Sequence, residues 1–198
     1  MSELCENLSN ATIAFENGQY EVALELCNAA IKENAGNVGA YAAAGNVCLA
    51  MDKHEEALRY YREASQLDPQ NGVRYFDIGN VYFAQELYAY VLENYVLADM
   101  HGCSDEIRQH IHFIMGMFKQ AEIEKLSDIE SKKKAAEAAL YHYDFANNIA
   151  GLNVEQKEIL LRRAQIYTEI GEFDKAEMAA RQLKLLGVKS QIEVARFI

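Results

Sequence analysis

The chain has 198 residues, 51% of them hydrophobic, with 19 Lys and Arg against 30 Asp and Glu for a formal net charge of −11. That composition is globular, and the acid excess argues against a surface devoted to nucleic acid. No apolar run approaches the roughly 18 residues a span needs, and the N-terminal MSELCENLSN has neither a basic nor an apolar stretch, so no membrane helix or secretory signal is expected.

With one Pro and no Trp, long uninterrupted helices are expected, and they pair off along the chain. Residues 4–37 read as a first helical hairpin through Ala11, Gly18, Tyr20, Ala23, Cys27 and Ala30, with Gly18 where its first helix must stop. In 38–71, Tyr41, Ala44, Gly45 and Cys48 fall at i, i+3, i+4 and i+7 on one helix face, and Ala57, Tyr61 and Ala64 mark a second helix. Met51-Asp52-Lys53 is a short polar link between them. Asp68-Pro69 ends the second helix, because proline disfavours helix at the residue before it and has no amide hydrogen to donate. Residues 72–105 repeat the pattern through Tyr75, Ile78, Gly79, Tyr82, Tyr88, Tyr95 and Ala98. An irregular pair is expected over 106–153, with helices at about 105–125 and 132–149 and the spacing stretched by roughly ten residues. A fifth hairpin over 157–189 shows in Leu160, Ala164, Tyr167, Gly171, Phe173 and Ala176. Asn153-x-x-Gln156 before it has the form of a capping box, and Gly171 and Gly187 read as helix stops. Residues 190–198 predict a last helix that caps the array. A longer natural protein is left open, because the chain stops without a polar tail.

The interval is constant. Ala23, Ala57 and Val91 recur at steps of 34, as do Cys27, Tyr61 and Tyr95, and Ala30, Ala64 and Ala98. Gly45-Asn46-Val47-Cys48-Leu49-Ala50 returns as Gly79-Asn80-Val81-Tyr82-Phe83-Ala84. Small residues sit where two backbones must approach and tyrosines fill the wider gaps. One such hairpin cannot bury its apolar faces alone, whereas stacked neighbours can.

At these residues the chain resembles the tetratricopeptide repeat family. The second unit carries the pattern most fully, in Tyr41, Ala44, Gly45, His54, Ala57, Tyr61, Ala64 and Pro69; the first and third lack the proline. The resemblance is specific over 1–102, good over 155–187 and rests on continuity over 103–154. It implies one all-α domain over 1–198, a right-handed superhelical solenoid of about five antiparallel helical hairpins with a C-terminal capping helix. It further implies a non-catalytic scaffold for protein–protein interaction, in which the first helix of each hairpin lines a concave groove that holds a peptide or partner segment. By position the groove presents Leu8, Thr12 and Phe15, then Ala42, Ala43, Asn46 and Leu49, then Phe76, Asp77, Asn80 and Phe83. Asn46 and Asn80 are the expected backbone-reading pair, since an amide side chain carries two donors and an acceptor whatever the ligand's sequence. The alternative is that each merely bonds a neighbouring turn or water. Phe76 and Phe83 are the expected aromatic anchors, Phe83 also being open to a core role, and Asp77 is the expected partner of a ligand Lys or Arg. Alanine at both Asn46 and Asn80 is expected to weaken capture without moving the melting temperature.

A subclass of the family clamps the terminal carboxylate of chaperone tails with basic side chains. The corresponding Leu8, Thr12, Ala43, Val73 and Asp77 include no base, so an apolar or basic protein ligand is expected instead. Residues 1–71 hold 4 basic and 11 acidic side chains, 72–130 hold 4 and 10, and 131–198 hold 11 and 9. An acidic first two-thirds repels phosphate and favours cations, or else simply keeps helical faces soluble. Lys132-Lys133-Lys134 reads as a solvated face, with contact to an acidic partner as the alternative.

Cys5, Cys27, Cys48 and Cys103 form no CxxC pair, which disfavours a zinc or redox motif and suits reduced, buried thiols in a cytoplasmic protein. His110 and His112 lie two apart, about 200° around a helix, and cannot share an ion; His142 and Asp144 fail for the same reason. No cofactor, metal or catalytic motif is expected. Two other roles stay open: a regulatory or assembly portion of a longer sensor or enzyme, and a self-assembling structural solenoid.

Overall fold

A computed structural model describes residues 3–148 and 153–185, with side chains over 6–148 and 156–185. Ten helices fill these residues, in the order α1 (Glu3–Glu16), α2 (Tyr20–Glu33), α3 (Val38–Ala50), α4 (His54–Leu67), α5 (Gly72–Ala84), α6 (Tyr88–Met100), α7 (Asp105–Ile123), α8 (Ile129–Asn148), α9 (Asn153–Glu169) and α10 (Phe173–Leu185). No strand occurs among the described residues. The expected cap at 190–198, the Gly187 stop and the Asn153 capping side chain lie outside them. Contacts group the chain into two units, 1–104 and 105–198.

In the first unit three hairpins, α1–α2, α3–α4 and α5–α6, stack in chain order, with α2 against α3, α4 against α5, and α1 touching α3. Each hairpin turn needs one residue in the left-handed region, at Gly18 (φ 73°), Asp52 (57°) and Glu86 (59°), one repeat apart. Glycine takes that conformation freely; aspartate and glutamate do so at a cost of roughly 1 kcal/mol or more. Between hairpins, Asn37 and Asn71 cap the helices that follow. Asn37 accepts from the Ala40 amide and Asn71 from the Val73 amide, satisfying donors a helix start leaves open.

Close helix packing in the second and third hairpins depends on one glycine each. A Cβ at Gly45 would lie 2.5 Å from the Tyr61 ring, and one at Gly79 would lie 2.6 Å from the Tyr95 ring. Both rings are about 1% exposed. In the first hairpin Ala11 and Cys27 stand at these positions and are buried together with Ala44.

The second unit holds two hairpins, α7–α8 and α9–α10, with α8 against α9. The stretched pair keeps the same contact, since a Cβ at Gly116 would lie 2.7 Å from the Tyr143 ring. Gly45 and Tyr61 are 16 apart in sequence, whereas Gly116 and Tyr143 are 27 apart. Of the additional 11 residues, two lengthen the end of α7, two the link and seven the start of α8, and the contact stays in place. Tyr143 then joins Ile123, Ala136, Ala139, Ile159 and Ile166 in one core. Lys132 pairs with Glu169 at 3.1 Å and Arg163 with Asp144 at 3.1 Å, tying α8 to α9; Lys133 lies 3.8 Å from Glu172. The lysine run is therefore partly committed to internal pairs. No helix among the described residues is long and apolar enough to cross a membrane.

Candidate functional site

The expected groove residues of the first unit lie on α1, α3 and α5, and the structure settles what several of them already touch. The Tyr61 hydroxyl donates to Asn46 Oδ1 at 2.6 Å, and the Tyr95 hydroxyl donates to Asn80 Oδ1 at 2.7 Å. Each asparagine is thus held by the tyrosine of its own hairpin, not by a neighbouring turn. The bond also orients the amide: Oδ1 faces the tyrosine, so the NH2 end has no partner among the described residues. Asn46 is exposed and Asn80 half-buried. Burial raises the Tyr95 phenol to about 12 and pushes the Tyr61 phenol up as well, so both remain hydroxyl donors near neutrality. The tyrosine lies 15 residues after the asparagine in both hairpins, so the pairing was visible as a second recurrence at the same interval.

Thr12, one repeat before Asn46, donates its hydroxyl to the Leu8 carbonyl at 3.1 Å. Thr12 and Asn46 come together at a cleft of about 120 Å³, lined also by Ala11, Phe15, Cys27, Ala43 and Val47. Leu49 packs against the core formed by Cys48, Leu58, Tyr61 and Ile78. Phe76 stacks on Tyr95 with ring centroids 5.5 Å apart. Phe83 is 41% exposed and meets Tyr88 edge-on.

Asp77 is placed differently from the sequence expectation. Its Oδ2 lies 3.0 Å from Arg74 Nη1, and both side chains are more than four-fifths buried. It already has a cation of its own, three residues back on the same helix. Burial nevertheless raises its carboxyl to about 6, with Arg74 acting in the opposite direction.

Two arrangements in the second unit escape sequence reasoning because each joins different helices. His112 and His142 bring their Nδ1 atoms to 3.0 Å, and His112 stacks on Phe145 with centroids 3.9 Å apart. Burial, His112 and Lys119 together depress His142 to about 4. No group of three or more metal-ligating side chains occurs among the described residues. Separately, a cavity of about 350 Å³ is lined by Asn147, Gln156, Leu160, Arg163, Gln182 and Leu185. The unit's counterpart of the asparagine is Gln120, which accepts from the Tyr143 hydroxyl at 2.9 Å and spends its NH2 on Gln165 at 3.4 Å. Its donor is used inside the protein, unlike those of Asn46 and Asn80.

Residues 45–86 match the family model described as TPR repeat, the tetratricopeptide repeat. No curated protein matches the sequence. Among solved structures, MamA aligns over 98% of this chain and 98% of its own at 14% identity, with a TM-score of 0.70. The pilF protein of Pseudomonas aeruginosa aligns over 94% and 78% at 16% identity, with a TM-score of 0.69. YrrB, described as a TPR protein with an unusual peptide-binding site, aligns over 91% and 89% at 17% identity, with a TM-score of 0.60. Residues 45–86 thus carry the tetratricopeptide repeat motif, and the hairpins share the fold of these solved structures.

Proposed function

We propose that the chain is a non-catalytic interaction scaffold whose first unit holds an extended peptide of apolar or basic character against α1, α3 and α5. One observation carries this reading. Asn46 and Asn80, one repeat apart, are each turned by a buried tyrosine so that the amide NH2 is left for a ligand. Two donors at a fixed step suit the carbonyl oxygens of an extended backbone, which recur whatever the sequence. Phe83, partly exposed on the same helix as Asn80, supports an apolar anchor. Asp77, paired to Arg74, drops out as the direct partner of a ligand cation; general acidity of the unit takes its place. Cys27 and Cys48 are buried thiols, which suits a reducing, cytoplasmic setting.

The test is panning of the immobilised chain against a random peptide display library. The comparison protein carries Asn46→Ala with Tyr61→Phe and Asn80→Ala with Tyr95→Phe, which removes both amides and leaves no orphaned hydroxyl. Enrichment by the wild type and loss in the variant, with helicity intact by circular dichroism, is the expected result. Equal enrichment by both refutes the asparagine pair.

A further inference from the structure

We propose that the first hairpin holds a pocket for one aromatic side chain of a basic partner peptide, floored by Cys27 between α1 and α3. This rests on the groove reading above and names the guest.

The protein shows what belongs in such a space. In the second and third hairpins the Tyr61 and Tyr95 rings lie against Gly45 and Gly79 and send their hydroxyls to Asn46 and Asn80. One repeat earlier, Tyr61 becomes Cys27, Gly45 becomes Ala11 and Asn46 becomes Thr12. Cys27 is fully buried, but its side chain ends at Sγ, so no ring is supplied from α2. What is left is the cleft of about 120 Å³. Apolar cavities of about 150 Å³ accept benzene; this one is smaller and open at its mouth, so a single ring enters it part-way. The Ala11 methyl stands where a fully inserted ring would press, so the guest sits shallower than Tyr61 does.

The mouth is chemically matched to a phenol. Thr12 gives its proton to the Leu8 carbonyl and keeps its oxygen as an acceptor. Asn46 gives its oxygen to Tyr61 and keeps its NH2 as a donor. A hydroxyl needs one of each. Around the pocket, residues 1–104 hold 5 Lys and Arg against 15 Asp and Glu, so net −10 of the chain's −11 lies in this unit. Lys or Arg beside the aromatic residue complements that field, an attraction that salt weakens.

The test begins with p-cresol, the tyrosine side chain as a free molecule, titrated into the full chain and followed by methyl NMR. Saturable shifts at Ala11, Ala43 and Val47 are expected, with a Kd on the order of millimolar for so small a ligand. The double variant Ala11→Gly/Cys27→Tyr builds in the missing ring and should abolish them. Ala43→Leu, which narrows the mouth without touching α2, should weaken binding about tenfold. Absence of saturable shifts in the wild type, or their persistence in a folded Ala11→Gly/Cys27→Tyr variant, overturns the pocket. Peptide panning separates this from the broader reading. Loss of an aromatic preference next to Lys or Arg in the double variant, with basic peptides still captured, supports the pocket. Equal enrichment without aromatic preference by both proteins overturns the pocket and leaves the groove standing. Cresol shifts with no peptide enriched by any variant overturn the groove and its peptide guest together.

Discussion

Asn46→Ala should lower the melting temperature, contrary to what the sequence alone suggests. The Tyr61 side chain is 1% exposed and its hydroxyl has Asn46 Oδ1 at 2.6 Å. A net hydrogen bond between neutral groups is worth about 0.5–1.5 kcal/mol, and a buried hydroxyl left without a partner costs about 1–3 kcal/mol. Asn46 itself is exposed, so water replaces part of what is lost and the lower half of that range applies, about 1–2 kcal/mol. For a chain of this length the melting temperature moves by roughly 2–4 °C per kcal/mol. Tyr61→Phe alone keeps the ring on Gly45 and frees Asn46 Oδ1 to water. The pair Asn46→Ala/Tyr61→Phe removes both polar partners, so its loss should fall short of the summed single losses by about 1 kcal/mol. Urea unfolding followed by circular dichroism measures all four proteins. Coupling below about 0.3 kcal/mol, or an unmoved midpoint in Asn46→Ala, refutes the account. It also means that ligand capture by Asn46→Ala alone confounds binding with folding.

Gly116→Ala should destabilise by about 1–2 kcal/mol, because overpacking against Tyr143 outweighs the helix propensity of alanine, and Gly116→Ala/Tyr143→Cys should lose less than the summed single changes on the same unfolding assay. Glu86→Gly should stabilise by about 0.5–1 kcal/mol in thermal melts by relieving the left-handed turn. The two units should answer acid in opposite directions. Asp77, whose folded value of about 6 exceeds the ordinary 3.8, contributes stability that is present below 3.8 and lost as pH rises through 6. His142, held at about 4 against an ordinary 6.5, contributes stability that is present above 6.5 and lost as pH falls through 4. Relative to wild type, Asp77→Asn should therefore look worse at pH 4 than at pH 7 and His142→Gln better, a contrast read from melting temperatures across that range.

Much of the fold was legible because it is written in spacing. The step of 34 placed six helices through Ala23, Ala57 and Val91 and their companions, and Gly18 and Gly171 stand at positive φ where the helix stops were expected. The stretched pair was placed by continuity, yet its anchor, Gly116 against Tyr143, keeps the glycine–tyrosine identity at a new spacing and could have been found by searching for the pair instead of the period. The site was less legible. Periodicity says which residues share a helix face and is silent on what touches them from another helix. Asn46 was placed on the groove side, but its bond to Tyr61 depends on the angle at which α3 meets α4. The His112–His142 contact is a second case: each histidine had been weighed against neighbours on its own helix, while its partner lies 30 residues away on the next one. Asp77 is the converse: its pair is local, with Arg74 three residues back on the same helix, a spacing the sequence displays.

What recurs in three of the hairpins is one close approach between the two helices. Glycine with tyrosine holds it at Gly45 and Tyr61, at Gly79 and Tyr95, and, across a longer link, at Gly116 and Tyr143. Alanine with cysteine stands at the same register in the first hairpin, where neither residue could be exchanged singly for its counterpart without clash or void. The polar end of the pair varies with its use. Among the described residues the amide donor stays unspent at Asn46 and Asn80, whereas at Gln120 it is spent on Gln165, so there the tyrosine lock serves the packing of the unit. What a buried tyrosine leaves over on its amide partner thus differs between the two units.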